Sequence, residues 1–130
     1  MNRDINCACG VAPTLIFACS GSSDVGEIAD RAARKLMRDG AGRMYCLAGV
    51  GGRVSGILLS TQAAESILAI DGCPLACAKN TLEKAEVTRF HHVQLSDLGM
   101  VKGDSPVTED RIAKVATAGM AALRNGPPGT

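Results

Sequence analysis

The alternation of apolar strands with helical segments predicts an α/β protein. The expected fold is three-layered and Rossmann-like: a mostly parallel four-stranded sheet with helices on both faces. Three observations carry this. Residues 14–19 (TLIFAC) form a continuous apolar run, the pattern of a strand buried on both faces. The next segment sets Val25, Ile28, Ala29, Ala32, Ala33, Leu36 and Met37 on one helical face, opposite Asp30, Arg31, Arg34, Lys35 and Arg38. The same strand-then-helix order then recurs at similar spacing, which calls for right-handed crossovers between parallel strands. The first strand is expected inside the sheet.

Taken in order, residues 1–13 read as an irregular arm carrying Cys7 and Cys9. Two cysteines one residue apart cannot comfortably bridge each other. They either reach a metal together or are incidental thiols. After the first strand, Ser20-Gly21-Ser22-Ser23 makes a polar turn, with Asp24 or Ser23 as helix cap and Glu27 placed for a capping box. Gly40 ends this helix. Residues 43–48 read as the second strand, with Cys46 late in it and a permissive Gly49–Gly52 loop after it. Val54, Ile57 and Leu58 suggest a short helix, and residues 60–66 a further helical turn.

The third strand is Ile67-Leu68-Ala69-Ile70, followed by Asp71-Gly72-Cys73-Pro74-Leu75-Ala76-Cys77. Pro74 suits the first position of a helix running to about Ala85, which would make Cys73 its N-cap. His92-Val93-Gln94-Leu95 reads as the fourth strand, with His91 and His92 at the N-terminal edge of the sheet and not ligands. Thr108 caps a last helix with Ile112, Val115, Ala116, Met120 and Leu123 on its apolar face, and Val107 packs on Ile112 as a staple. Residues 14–125 are expected to form one domain, with residues 126–130 as a disordered tail.

Composition limits the function classes. The chain has 130 residues, a formal net charge of +1 and 2% aromatic residues without Trp. It lacks the basic stripe and stacking platforms that nucleic acid requires. No stretch has the apolar length to span a bilayer, so no membrane partner is expected. Arg3, Asp4 and two cysteines stand where a signal peptide would need apolar residues, so the expected compartment is the cytoplasm. In a reducing compartment, cysteines grouped at element ends point to metal or redox chemistry.

In a parallel sheet every strand ends at the same edge. Cys19, Cys46, Cys73 and Cys77 are thereby brought together from separate segments. Four cysteinates suit tetrahedral Zn²⁺. An iron–sulfur cluster would also accept four cysteines, but its usual short-spaced runs are absent. Cys46, between Tyr45 and Leu47, can equally be a small core residue. Two other uses stay open. One is a thiol-redox or sulfur-transfer enzyme, with Cys73 as nucleophile activated by a helix N-terminus and Cys77 as resolving thiol. The other is a module gripping a small anionic ligand between the Ser20, Gly21, Ser22 and Ser23 turn before Asp24 and the Gly49–Gly52 loop.

Three blocks, Cys19-Ser20-Gly21-Ser22-Ser23-Asp24-Val25-Gly26, Cys46-Leu47-Ala48-Gly49-Val50-Gly51 and Ile70-Asp71-Gly72-Cys73-Pro74-Leu75-Ala76-Cys77-Ala78-Lys79, resemble the DGC-domain family. These are small zinc-binding proteins named for an Asp-Gly-Cys motif. The resemblance runs from about Thr14 to Gly103. It implies zinc held by Cys19, Cys46, Cys73 and Cys77, with the Cys7/Cys9 arm as an N-terminal feature of some members. It implies no particular reaction.

Overall fold

The sheet is built from apolar runs too short to bury themselves and flanked by helices with one apolar face. In the computed structural model, which describes residues 13–125, four strands form one sheet. They are β1 (Thr14–Ala18), β2 (Arg43–Met44), β3 (Ser66–Asp71) and β4 (His91–Gln94), and every pairing is parallel. The spatial order is β2-β1-β3-β4. β1 is therefore interior, as expected, and the fold class is the three-layer α/β arrangement that the sequence predicts. Cys7, Cys9 and the tail lie outside the described residues.

The helices are α1 (Asp24–Arg38), α2 (Leu47–Gly51), α3 (Ser55–Ala63), α4 (Cys77–Lys84) and α5 (Glu109–Arg124). Alternate residues of the central strands feed two cores, because successive side chains of a strand point to opposite faces. Ile16, Ala18, Leu68 and Ile70 pack with α1 and α5. Leu15, Phe17, Ile67 and Ala69 pack with Val50, Ala78 and Leu82 of α2 and α4, with Ile57 and Leu58 of α3 beside them.

Local signals set the helix ends. Ser23 is the cap of α1, its Oγ accepting the Gly26 N–H at 3.0 Å. The expected capping box does not form: Gly26 occupies the third helical position, and Glu27 instead pairs with Arg31 at 2.8 Å. At the other end Gly40 (φ +84°) closes a paired C-terminal motif, with Gly40 N–H on the Met37 carbonyl and Ala41 N–H on that of Leu36. Thr108 caps α5 as expected, accepting the Arg111 N–H at 3.2 Å.

Three expectations are corrected. The second strand is only two residues long, so Cys46 is not in it but caps α2, and the Gly49–Gly52 "loop" is mostly helix. The short helix and the separate turn expected over residues 54–66 are the single helix α3, which stops at Ala63. Pro74 does not start α4, and Cys73 is not its cap. The helix begins at Cys77, preceded by Ala76 in the left-handed region (φ 52°, ψ 52°).

Candidate thiol site

Strand order 2-1-3-4 has its topological switch between β1 and β3, because the connection after β1 leaves toward β2 and that after β3 leaves toward β4. The crevice beyond the C-terminal ends of those two strands is where open α/β sheets bind ligands. Cys19 directly follows β1, and Cys73 lies two residues after β3. The two turns touch there: the Cys19 Sγ accepts the Gly72 N–H at 3.3 Å.

The four thiols differ in surroundings. Cys19 and Cys73 are half-buried, whereas Cys46 and Cys77 are exposed. Burial pushes the Cys19 thiol pKa up; the Gly72 N–H works against this, while the nearby Asp71, Cys73 and Cys77 add to it. Cys19, Cys73 and Cys77 therefore share one electrostatic neighbourhood. Cys46 caps α2, with its Sγ accepting the Gly49 N–H at 3.3 Å. Being exposed, it is not the core residue that its strand-like flanks allowed. It faces Cys19 across a cleft of about 490 Å³ that also contains Ser20, Arg34 and Tyr45. Cys73 borders a second, more apolar cleft of about 500 Å³ with Leu75, Met100 and Val101.

The donor set is all sulfur and suits a soft divalent ion. As the side chains stand, no three His, Cys, Asp or Glu groups among the described residues converge closely enough to hold a metal ion. The thiols are at one edge, but the sulfurs of Cys19 and Cys46 are turned onto backbone N–H groups.

Asp71 is the residue whose role the sequence reading missed. Its side chain is 1% exposed. Oδ1 accepts the Ala78 N–H at 2.7 Å, and Oδ2 accepts the Lys79 N–H at 3.0 Å. His92 Nε2 lies 2.8 Å from Oδ2. His92 is thus not remote from the cysteine edge. β4 is short and pairs with the last part of β3, setting His91 opposite Leu68 and His92 opposite Ala69. His91 makes no such pair, and burial lowers its pKa. Asp71 also changes the reading of the helix N-terminus. The N–H groups of Ala78 and Lys79, which would face a thiolate there, already face a carboxylate.

The Ser20–Ser23 turn is similarly committed. Ser20 donates to Asp30 at 2.8 Å, Ser23 caps α1, and Asp24 sits at the same helix start. Two carboxylates already meet this turn, which works against a further anion. Asp24 accepts N–H groups from Gly103 and Ser105 at 3.0 Å, tying the 100–106 loop to α1. These bonds, Gly103 first, hold the Asp24 carboxyl below its ordinary pKa. A carboxylate whose pKa is depressed by folding stabilises the fold above its unfolded pKa of about 3.9, and that contribution is lost as pH falls through the folded value. Acidification below pH ~3.9 is therefore expected to release the loop. Hydrogen exchange should show the Gly103 and Ser105 amides losing protection there, and Asp24→Ala should abolish that pH dependence.

The fold and site define a class: a doubly wound α/β domain with thiols from three successive turns at its C-terminal edge. Residues 15–118 match the DGC domain, and the chain belongs to the DGC-domain family. It is 42% identical over 88 residues to the anaerobic and virulence modulator AnvM of Pseudomonas aeruginosa, a match covering 68% of this chain and 67% of that protein. No solved structure matches the chain. No described helix is long and apolar enough to cross a membrane.

Proposed function

We propose that this protein binds Zn²⁺ through the thiolates of Cys19, Cys73 and Cys77, with Cys46 as the fourth donor. The observation that carries this reading is the meeting of the β1 and β3 turns, where Cys19 accepts the Gly72 N–H within the electrostatic reach of Cys73 and Cys77. Binding would draw the Cys46 sulfur from its cap on α2 toward the other three. Four thiolates close the coordination sphere and leave no position for water, so the metal's role is structural or regulatory, not hydrolytic. The relative's name, a modulator, fits a regulatory role.

The thiol-redox alternative is less supported. Cys73 is not at the helix cap, and Asp71 occupies the N–H groups that would activate a thiolate.

The test is metal analysis of protein purified under reducing conditions, with thiol titration before and after chelation. About one zinc per chain, with roughly four thiols masked until the metal is removed, is the expected result. A second zinc would implicate Cys7 and Cys9. Absence of metal together with a readily formed Cys73–Cys77 disulfide would overturn the zinc reading in favour of thiol chemistry.

A further inference from the structure

We propose that Asp71 is a clasp positioning the thiol-bearing turn, and that His92, which belongs to a different strand, holds the clasp in place. The inference rests on the reading that this turn carries the functional thiols. It goes beyond that reading by assigning work to two residues that are not ligands.

A helix normally satisfies its first N–H groups with a side chain at its own N-cap. The N-cap of α4 is Ala76, which has none to offer and is in a left-handed conformation. Asp71 supplies the missing acceptors from across the turn, one oxygen for Ala78 and the other for Lys79. Its carboxylate thereby joins the end of β3 to the start of α4 and closes the base of the segment bearing Cys73 and Cys77. Within that segment, Ala76 N–H bonds the Cys73 carbonyl at 3.0 Å, and Asn80 Nδ2 donates to the Leu75 carbonyl at 2.8 Å.

A carboxylate this deeply buried needs its lone pairs satisfied. The third donor is His92. An ionised carboxylate only accepts, so the His92 Nε2 carries the hydrogen. The ring is itself braced by Phe90, edge to face, with centroids 6.4 Å apart. A chain of contacts thus runs from β4 through His92 and Asp71 to the thiol turn.

The experiment is pulsed iodoacetamide labelling of the reduced, chelated full-length protein, with each cysteine quantified by mass spectrometry. Cys46, on a separate turn, is the internal reference. Asp71→Asn and His92→Leu are expected to raise Cys73 labelling about tenfold relative to Cys46, the scale of losing a helix cap. His92→Gln, which keeps a donor, should stay within about twofold of wild type. Unchanged ratios in Asp71→Asn would overturn the proposal. So would a uniform rise at Cys19, Cys46, Cys73 and Cys77, which would mean general destabilisation. If Asp71→Asn does not fold, the His92 pair decides: equal behaviour of Leu and Gln would overturn it.

Labelling needs no metal, so a wild-type protein without zinc would refute the zinc reading and leave this test intact. Where zinc binds, the same Asp71→Asn and His92→Leu variants should weaken it by about 10- to 100-fold, as losing an outer-shell partner does.

Discussion

Gly72→Ala is expected to destabilise the protein by about 1–3 kcal/mol and to disrupt the thiol edge at the same time. A Cβ at Gly72 would stand 2.8 Å from the Val25 carbonyl carbon and 2.9 Å from its oxygen. Those atoms are the backbone of α1, which has no flexible end to move aside. Relief must come from separating the β3–α4 turn from the start of α1, and that separation breaks the Gly72 N–H contact with Cys19. The glycine of the Asp-Gly-Cys motif is therefore needed for close approach of two backbones. Gly56 in α3 is the matched control, with nothing within 4 Å of an added Cβ. Gly56→Ala should stabilise by about 0.5–1 kcal/mol, because alanine loses less conformational freedom in a helix. Denaturant midpoints of the two variants should move in opposite directions. A neutral Gly72→Ala would mean that the β3–α4 turn does not lie this closely against the start of α1.

The second large effect is expected on the zinc binding proposed above. Cys19→Ser, Cys73→Ser and Cys77→Ser are each expected to lower zinc affinity by more than the roughly 10- to 100-fold cost of losing an outer-shell partner. Cys46→Ser should be the mildest of the four. Its sulfur starts on a different turn, engaged by Gly49, and is absent from the groups that perturb Cys19. The chelator-competition titration that gives these affinities should be paired with thermal melts, because a structural metal contributes folding free energy. Four equal losses would indicate a site in which Cys46 is an equal partner. Retention of full affinity in Cys73→Ser would remove the β3 turn from the site.

The architecture was legible because it rests on periodicity. The apolar run of β1, the two-faced α1 and the capped α5 each satisfy a simple pattern, and a parallel sheet then brings strand ends to one edge. The corrections arose where a distant residue outweighed a local signal. Pro74 is a good first helical residue, yet α4 starts at Cys77, because the carboxylate serving its N–H groups comes from Asp71 and not from a neighbour. Cys46 has strand-like flanks, but β2 pairs only at Arg43 and Met44 before the chain turns into α2. His92 looked remote because pairing register cannot be read from one strand. Its partner is set by where β4 lies along β3.

The interior place of β1 has a consequence for how the chain is made. One edge of β1 is matched by only two residues of β2, and its other edge is covered by β3, beginning at Ser66. During synthesis this almost wholly apolar strand therefore keeps an open edge until Ser66–Asp71 has been made. Pairing between such distant segments is slow, and open strand edges invite association with other chains. Cys19 shares that wait. Capture of β1 by β3 covers that edge and brings the Cys73 and Cys77 segment to the turn of Cys19 in the same event, so a nascent chain stalled before this step has neither a covered central strand nor its thiol-bearing turns together.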